Sequence, residues 1–430
     1  MTALRRGSSS RFSLRFDGWT YAAALFFAFV ILAFINGRLS IDLIAFQAQP
    51  QDYPVPDVLA GFARWDTGWY RSIADSGYFY NGPAQQSSVA FFPAYPFAMR
   101  LLAHVVGNLI VAGVLITMVS GAIVAVLFHR WVSAFLGPRT ARYALALFLC
   151  YPFAFYLFGA VYSDALFIAA VLGAFTLLER DRPVLAGMVG IIATAARPVG
   201  IALVIGLALR VLEIRGVLPG SRPAALVPRP TSIADERGTR ISLLPRRVRL
   251  ANLRPRDAGV LLSGFGLVAF TALLWYRFGD PLAFTRVSSA PGWYKDFNLE
   301  TFLKLHLFRL LASYGIGIVN FWLTTQGIFA LISLALVPAT IRRFGWGYGA
   351  YLFVAIGIAF TSTREFLGMG RYVLAGFPAF ATAADLILGW SRQDRSVARL
   401  RRALPTVVLT VFAFGLAWMV SLYARWYLLS

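Results

Sequence analysis

The chain has 430 residues, 59% of them hydrophobic and only 14% charged, and it carries a formal net charge of +21. An average soluble domain has about 25% charged residues, and a chain this apolar could not cover its own surface with polar groups. Composition therefore excludes an ordinary soluble protein, and with it the nucleic-acid partner that a charge of +21 would otherwise suggest.

A bilayer crossing takes about 20 apolar residues. Apolar runs near 19–36, 107–128, 143–158, 163–178, 184–196, 198–214, 258–276, 317–340, 346–362, 372–389 and 404–424 predict an all-α polytopic membrane protein with about 11 transmembrane helices. A basic N-terminus, 1–18, precedes the first run, which lacks a small-residue cleavage site and is expected to stay as an anchor. An N-terminal transmembrane module spans 19–214 and includes a long first loop, 37–106. The end of that loop, 90–106, is apolar but interrupted by Pro93, Pro96 and Arg100, which predicts a short interfacial helix leading into the second span. An Arg-rich loop follows at 215–257. A C-terminal module spans 258–424, with a second loop at 278–316 in which 302–311 has the pattern of an interfacial amphipathic helix.

Orientation follows from the distribution of Arg and Lys. With the N-terminus in the cytoplasm, nearly all the excess positive charge stays inside. The stretch 210–257, with 11 Arg and 4 acids among Pro, Ser and Gly, is then a loosely folded or disordered cytoplasmic loop facing anionic lipid headgroups. The C-terminus lies outside, and the first and second loops share the outer face.

Cys150 is the only cysteine, so neither an intramolecular disulfide nor a Cys-based metal site can form. The three histidines, His104, His129 and His306, have no metal-ligand spacing between them. The chemistry-bearing residues gather instead in the outer loops. The first loop contains Arg64-Trp65-Asp66-Thr67-Gly68-Trp69-Tyr70. A carboxylate flanked by Trp65, Trp69 and Tyr70 is partly shielded from water and can serve as a general base for a sugar hydroxyl, while the aromatics stack on a sugar ring. Read alone, Asp66 can equally cap the helix that follows, and the aromatics can be interfacial anchors. Arg197 interrupts an otherwise apolar stretch, where an arginine costs roughly 2.5–3.5 kcal/mol to insert, so it is expected to have a partner.

The run RWDTGWYRSIADSGYFY followed by AFFPAYP resembles the first-loop signature of the GPI mannosyltransferase II (PIG-V-like) family of membrane glycosyltransferases. The likeness continues in order through Tyr151-Pro152-Phe153, Tyr162-Ser163-Asp164, Ala196-Arg197-Pro198, Gly279-Asp280-Pro281 with Trp293 downstream, and Gly370-Arg371-Tyr372 with Phe377-Pro378. It covers about residues 60–380. Asp164 stands where the family usually carries Glu. This resemblance implies a GT-C-type fold in a bacterial plasma-membrane protein that acts on cell-envelope glycans. Its donor would be a polyprenyl-phosphate sugar, with mannose the implied sugar, and its acceptor a lipid-linked or glycan molecule. Asp66 would be the catalytic base. Arg371, Arg197 and Arg364 would bind the donor phosphate, and Trp65, Trp69, Tyr70, Asp164 and Asp280 would contact substrate.

A glycosidase must protonate a poor leaving group and needs two carboxylates. A phosphate-linked sugar leaves as a stable anion, so one base and a cationic clamp suffice, bidentate if geometry allows, with no metal or other cofactor. A transporter or flippase of lipid-linked sugars, or a non-catalytic scaffold, is the alternative class. A transporter would show internal repeats and polar residues at span centres, and neither is evident.

Overall fold

The computed structural model describes residues 18–44, 53–218, 252–293, 295, 298–315, 317–391 and 398–426. The described residues form helices and no strands. In order these are α1 Gly18–Leu43, α2 Thr67–Ser76, α3 Ala94–Val106, α4 Leu109–Leu136, α5 Pro138–Leu149, α6 Asp164–Glu179, α7 Pro183–Ala196, α8 Ile201–Ile214 and α9 Phe265–Phe278. Then follow α10 Ala283–Arg286, α11 Leu299–Leu303, α12 Leu305–Tyr314, α13 Ile318–Ala335, α14 Val337–Phe344, α15 Trp346–Ser362, α16 Met369–Ala375, α17 Phe377–Trp390 and α18 Ala398–Ala424.

Ten of the eleven apolar runs identified above coincide with helix, and the chain is a multi-pass membrane protein. Among the described residues, four helical segments are long and apolar enough to cross a bilayer unaided, or six if each of two bent pairs makes one span. The difference from eleven is one of length: α7 and α15 are apolar but have 14 and 17 residues. The run at 143–158 departs most from expectation. Its helix stops at Leu149 and continues as a turn and a single 3-10 turn at Ala154–Leu157. Pro152 has no N–H and cannot continue the helix. This non-helical backbone is tolerated because residues 153–162 are fully enclosed by protein rather than lipid.

Burial separates lipid-facing from protein-facing surfaces. On α1 the buried positions are Ala22, Phe26, Val30, Ala33, Gly37 and Ser40, one seam at helical spacing. Phe27, Ile31, Leu32 and Ile35 on the other faces remain exposed, as lipid-facing side chains do. By contrast α6 is buried nearly all round and forms the centre of the bundle. Small residues allow close approach elsewhere: a Cβ at Gly187 on α7 would lie 1.9 Å from the Gly259 carbonyl oxygen, so only glycine fits. The expected interfacial helices are α3 and α12. Asn108 starts α4 directly after α3, its side chain accepting from the Ile110 and Val111 amides at 2.8 and 3.1 Å.

Two charge clusters mark one end of the bundle. Arg210, fully buried, donates to Glu179 at 2.7 Å, to Glu213 at 3.0 Å and to the Phe344 carbonyl at 3.1 Å. Glu213 also accepts from the Trp346 and Gly347 amides at the start of α15, where the helix dipole favours an anion. Nearby, Arg215 bridges Asp181 and Asp257. Burial alone would raise the Asp181 carboxyl, but hydrogen bonding and charge from Arg215, with Arg256 and Arg254, bring it below the usual range. The expected basic N-terminus and most of the Arg-rich loop lie outside the described residues. The ends of that loop leave from this cluster, through Arg215 and Asn252, whose side chain donates to the Arg215 carbonyl at 3.1 Å. Because α6 runs from Asp164 to Glu179, Asp164 lies at the opposite end, together with the first long loop.

Candidate active site

At that opposite end a cavity of about 440 Å³ opens between the first loop, the α7–α8 break, the stretch carrying Ser288, Gly292, Trp293 and Lys295, and the 363–372 segment. Asp66, Trp65, Trp69, Tyr70, Arg197, Arg364 and Arg371 all line it, so seven of the nine expected site residues converge in one place from both halves of the chain.

Asp66 sits at the N-cap position of α2 but does not cap it: no side-chain cap hydrogen bond forms. Its carboxylate instead accepts from Arg371 Nη1 at 3.0 Å and is 22% exposed. Its backbone amide donates to the Tyr162 hydroxyl at 3.1 Å, which fixes the start of the helix by another route. The preceding Trp65 has φ of +52°, a left-handed conformation that costs about 1–2 kcal/mol per L-residue. Such strain persists where surrounding contacts over-determine it; here the Trp65 indole packs edge-on against Trp426 and Arg64 lies over the same Trp426 ring. Tyr70 hydrogen-bonds Ser163 Oγ at 2.9 Å. Burial, with Asp66 adding to it, pushes the Tyr70 phenol up to about 12, so it acts as a neutral hydrogen-bonding group.

Behind Asp66 lies a four-charge network. Arg371 also approaches Asp164 at 3.9 Å, and Asp164 is ion-paired with Arg197. Arg197 lies over the Tyr372 ring, and Arg371 over Tyr162 and Tyr156. Two arginines and two carboxylates thus sum to zero charge in a site where all but Asp66 are more than nine-tenths buried. The partner expected for Arg197 is Asp164. Local backbone aims both arginines: Arg197 is the extended residue that breaks α7 from α8. Arg371 follows Gly370, whose amide donates to Gln326 at 2.8 Å and whose missing side chain leaves room for the Phe153 ring.

An aromatic wall faces the charges. Trp69 stacks on Phe91 with centroids 5.6 Å apart, and Trp293 packs edge-on against Trp69 at 5.4 Å and against Phe91 at 5.8 Å. Flat apolar faces beside charged hydrogen-bonding groups suit a sugar ring bearing an anionic substituent.

Two expected contacts are not brought to the cavity. Asp164 lies beneath the arginines, 1% exposed, and reaches the cavity only through them. Asp280 forms a turn: it accepts from the Leu282 amide at 3.1 Å, from Arg286 at 3.0 Å and from the Tyr80 hydroxyl at 3.2 Å, joining the two loops to each other. An acid in Gly-Asp-Pro commonly does this. Conversely, Gln86, Lys295 and Glu365 line the cavity without having been singled out. The chain has only two lysines, Lys295 and Lys304, and that scarcity was the one signal that could have marked Lys295. Among the described residues no three His, Cys, Asp or Glu side chains gather as a metal site would need.

Comparison with known proteins bears out the resemblance in the first half of the chain. Residues 52–214 match the family model described as mannosyltransferase (PIG-V). GPI alpha-1,6-mannosyltransferase 2 of Cricetulus griseus is 34% identical over 161 residues, which are 35% of this chain and 31% of that protein. The Mus musculus protein of the same name is 32% identical over the same shares. The matched stretch thus spans less than a third of the length of these curated relatives. The family-model match at 52–214 contains Asp66, Asp164 and Arg197, whereas Asp280, Arg364 and Arg371 lie beyond it. Among solved structures, ArnT from Cupriavidus metallidurans bound to undecaprenyl phosphate is 16% identical with a TM-score of 0.46, covering 94% of this chain and 77% of that one. The apo oligosaccharyltransferase of Archaeoglobus fulgidus is 12% identical with a TM-score of 0.48, covering 94% and 56%. Such scores leave these two likenesses too loose to carry a residue or a reaction across.

Proposed function

We propose that the chain is an integral-membrane glycosyltransferase of the PIG-V mannosyltransferase type, working on the outer face of a bacterial plasma membrane with its N-terminus in the cytoplasm. It moves mannose from polyprenyl-phosphate mannose to a hydroxyl of a lipid-linked or glycan acceptor. The observation that carries this reading is the Asp66 carboxylate. It occupies a helix-capping position, declines the cap, and is held at the cavity by Arg371.

Asp66 takes the proton of the acceptor hydroxyl as that oxygen attacks the anomeric carbon. The bond from the anomeric carbon to the phosphate oxygen breaks, and its electron pair leaves with the lipid phosphate. Attack from the face opposite the leaving group inverts the anomeric centre. Charge gathers on the departing phosphate, so cations fixed beforehand in a water-poor cavity lower the barrier. Arg371, Arg197 and Arg364 line the cavity for that role. Trp69 and Trp293 hold the sugar ring. A phosphate leaving group needs no general acid, and the reaction as written uses no metal.

The test is transfer by the full chain in lipid, supplied with labelled polyprenyl-phosphate mannose and membrane extracts. Wild type is expected to form a new glycosidic linkage, and Asp66→Asn to bind donor without transferring. Movement of lipid-linked sugar across the bilayer with no new linkage would instead identify a flippase.

A further inference from the structure

The charges that line the cavity do not balance in the way a phosphate clamp requires. Arg371 is already the partner of Asp66, and Arg197 the partner of Asp164. Drawing both arginines fully onto an incoming phosphate would leave Asp66 without its partner and strand Asp164, which is 1% exposed, at a cost of several kcal/mol. Lys295 is a different case. It lines the same cavity, and among the described residues it makes no ion pair.

The backbone around it is a built support. The Lys295 amide donates to the Ser288 carbonyl at 2.8 Å and the Trp293 amide to the Ala290 carbonyl at 3.1 Å. From the first loop, Gln86 Nε2 donates to the Pro291 carbonyl at 3.0 Å. The Trp293 ring closes against Trp69 and Phe91. These contacts hold the lysine over the cavity, on the segment whose tryptophan forms the sugar-facing wall.

Resting on the proposed transferase reading, we infer that Lys295, a cation of the cavity with no carboxylate partner among the described residues, contacts the phosphoryl group of a lipid-linked substrate. A phosphodiester brings one negative charge into the cavity, and an ammonium on a flexible stem can follow the leaving phosphate as its charge grows. Arg371 and Arg197 then keep their carboxylates in place while pointing their remaining donors at the same oxygens. The chemistry recognised is a phosphoryl group, which the donor or a lipid-phosphate acceptor could supply.

The experiment uses the full chain in lipid nanodiscs, with labelled decaprenyl phosphate and uncharged decaprenol as binding probes, beside transfer kinetics with both substrates. Lys295→Gln is expected to weaken decaprenyl phosphate binding about tenfold, the scale of one charge-assisted hydrogen bond, and to leave decaprenol binding unchanged. Lys295→Arg should restore phosphate binding, and the melting temperature of both variants should match wild type. A rise in donor KM with kcat retained assigns the contact to the donor; a rise in acceptor KM assigns it to an acceptor phosphate. Unchanged phosphate binding in Lys295→Gln, or equal loss for decaprenol, overturns the inference even where wild type transfers sugar. Wild type that binds decaprenyl phosphate through Lys295 yet transfers nothing leaves the inference standing and removes the transferase reading.

Discussion

Arg371 reaches 305 positions back along the chain to hold Asp66, its Nη1 donating to Oδ2 at 3.0 Å. This pair joins the two halves of the molecule at the cavity. It also turns the carboxylate at the head of α2 toward the cavity, and the side chain makes no cap to the first turn of the helix.

Substitution of Asp66 removes the base and also takes a partner from the buried Arg371. Asp66→Asn should reduce transfer about 10²–10⁴-fold, the range for losing a general base. It should leave intact the Tyr162 hydroxyl contact to the residue 66 amide. Circular dichroism and thermal unfolding in nanodiscs should show the helix content of wild type. Full transfer activity in Asp66→Asn would remove the base.

The Arg197–Asp164 pair is more than nine-tenths buried on both sides, so removing one partner strands the other. Asp164→Asn or Arg197→Met should each destabilise by about 3–5 kcal/mol. The double variant should lose less than the sum of the two, the signature of coupled residues. Additive losses in thermal unfolding would show that the two side chains do not depend on each other.

Asp280 offers the opposite expectation. Its partners are a turn amide, the Tyr80 hydroxyl and Arg286, and the Arg286 side chain is 59% exposed. Asp280→Asn should keep transfer within about fivefold of wild type, since Asp280 stands outside the cavity and its solvent-open partner Arg286 contributes about 1 kcal/mol or less. A loss comparable with that of Asp66→Asn would mean that the residue reaches substrate after all.

Lys304 gives a pH test. It sits at a left-handed kink between α11 and α12, donates to the Phe360 and Thr363 carbonyls and lies near the Phe360 and Phe366 rings. Burial takes its ammonium down to about 8, with Glu365 acting the other way. The native protein thus releases this proton at lower pH than the unfolded chain, whose lysines titrate near 10.4. Between those values the unfolded state binds more protons, so stability from this group rises with pH across that window. The melting temperature of wild type relative to Lys304→Met should climb from pH 8 to pH 10. A constant difference would contradict a depressed Lys304.

Much of the fold was legible because hydropathy is additive along the chain: all but one of the apolar runs became helix, and interrupted runs became short helices. The exception at 150–163 depends on enclosure by other helices, which no local window reports. Of the candidate residues, Asp66 and the three arginines came from the resemblance to PIG-V-like proteins, and Arg197 was also marked by the cost of placing charge in an apolar run. Their pairing was not legible, because it depends on which side chains meet across hundreds of residues.

By itself, the sequence determined that this is a helical membrane protein, which residues are expensive to place in it, and the stretch it shares with PIG-V mannosyltransferases. Only the tertiary structure decided which carboxylate each arginine holds, that Asp280 closes a turn instead of lining the cavity, and that Lys295 comes over the site without an acidic partner among the described residues. The physical reason is range. Hydrophobic burial and helix formation are set by residue type and near neighbours, whereas an ion pair requires two side chains to arrive within about 4 Å at the right angle, and packing of the whole bundle sets that distance.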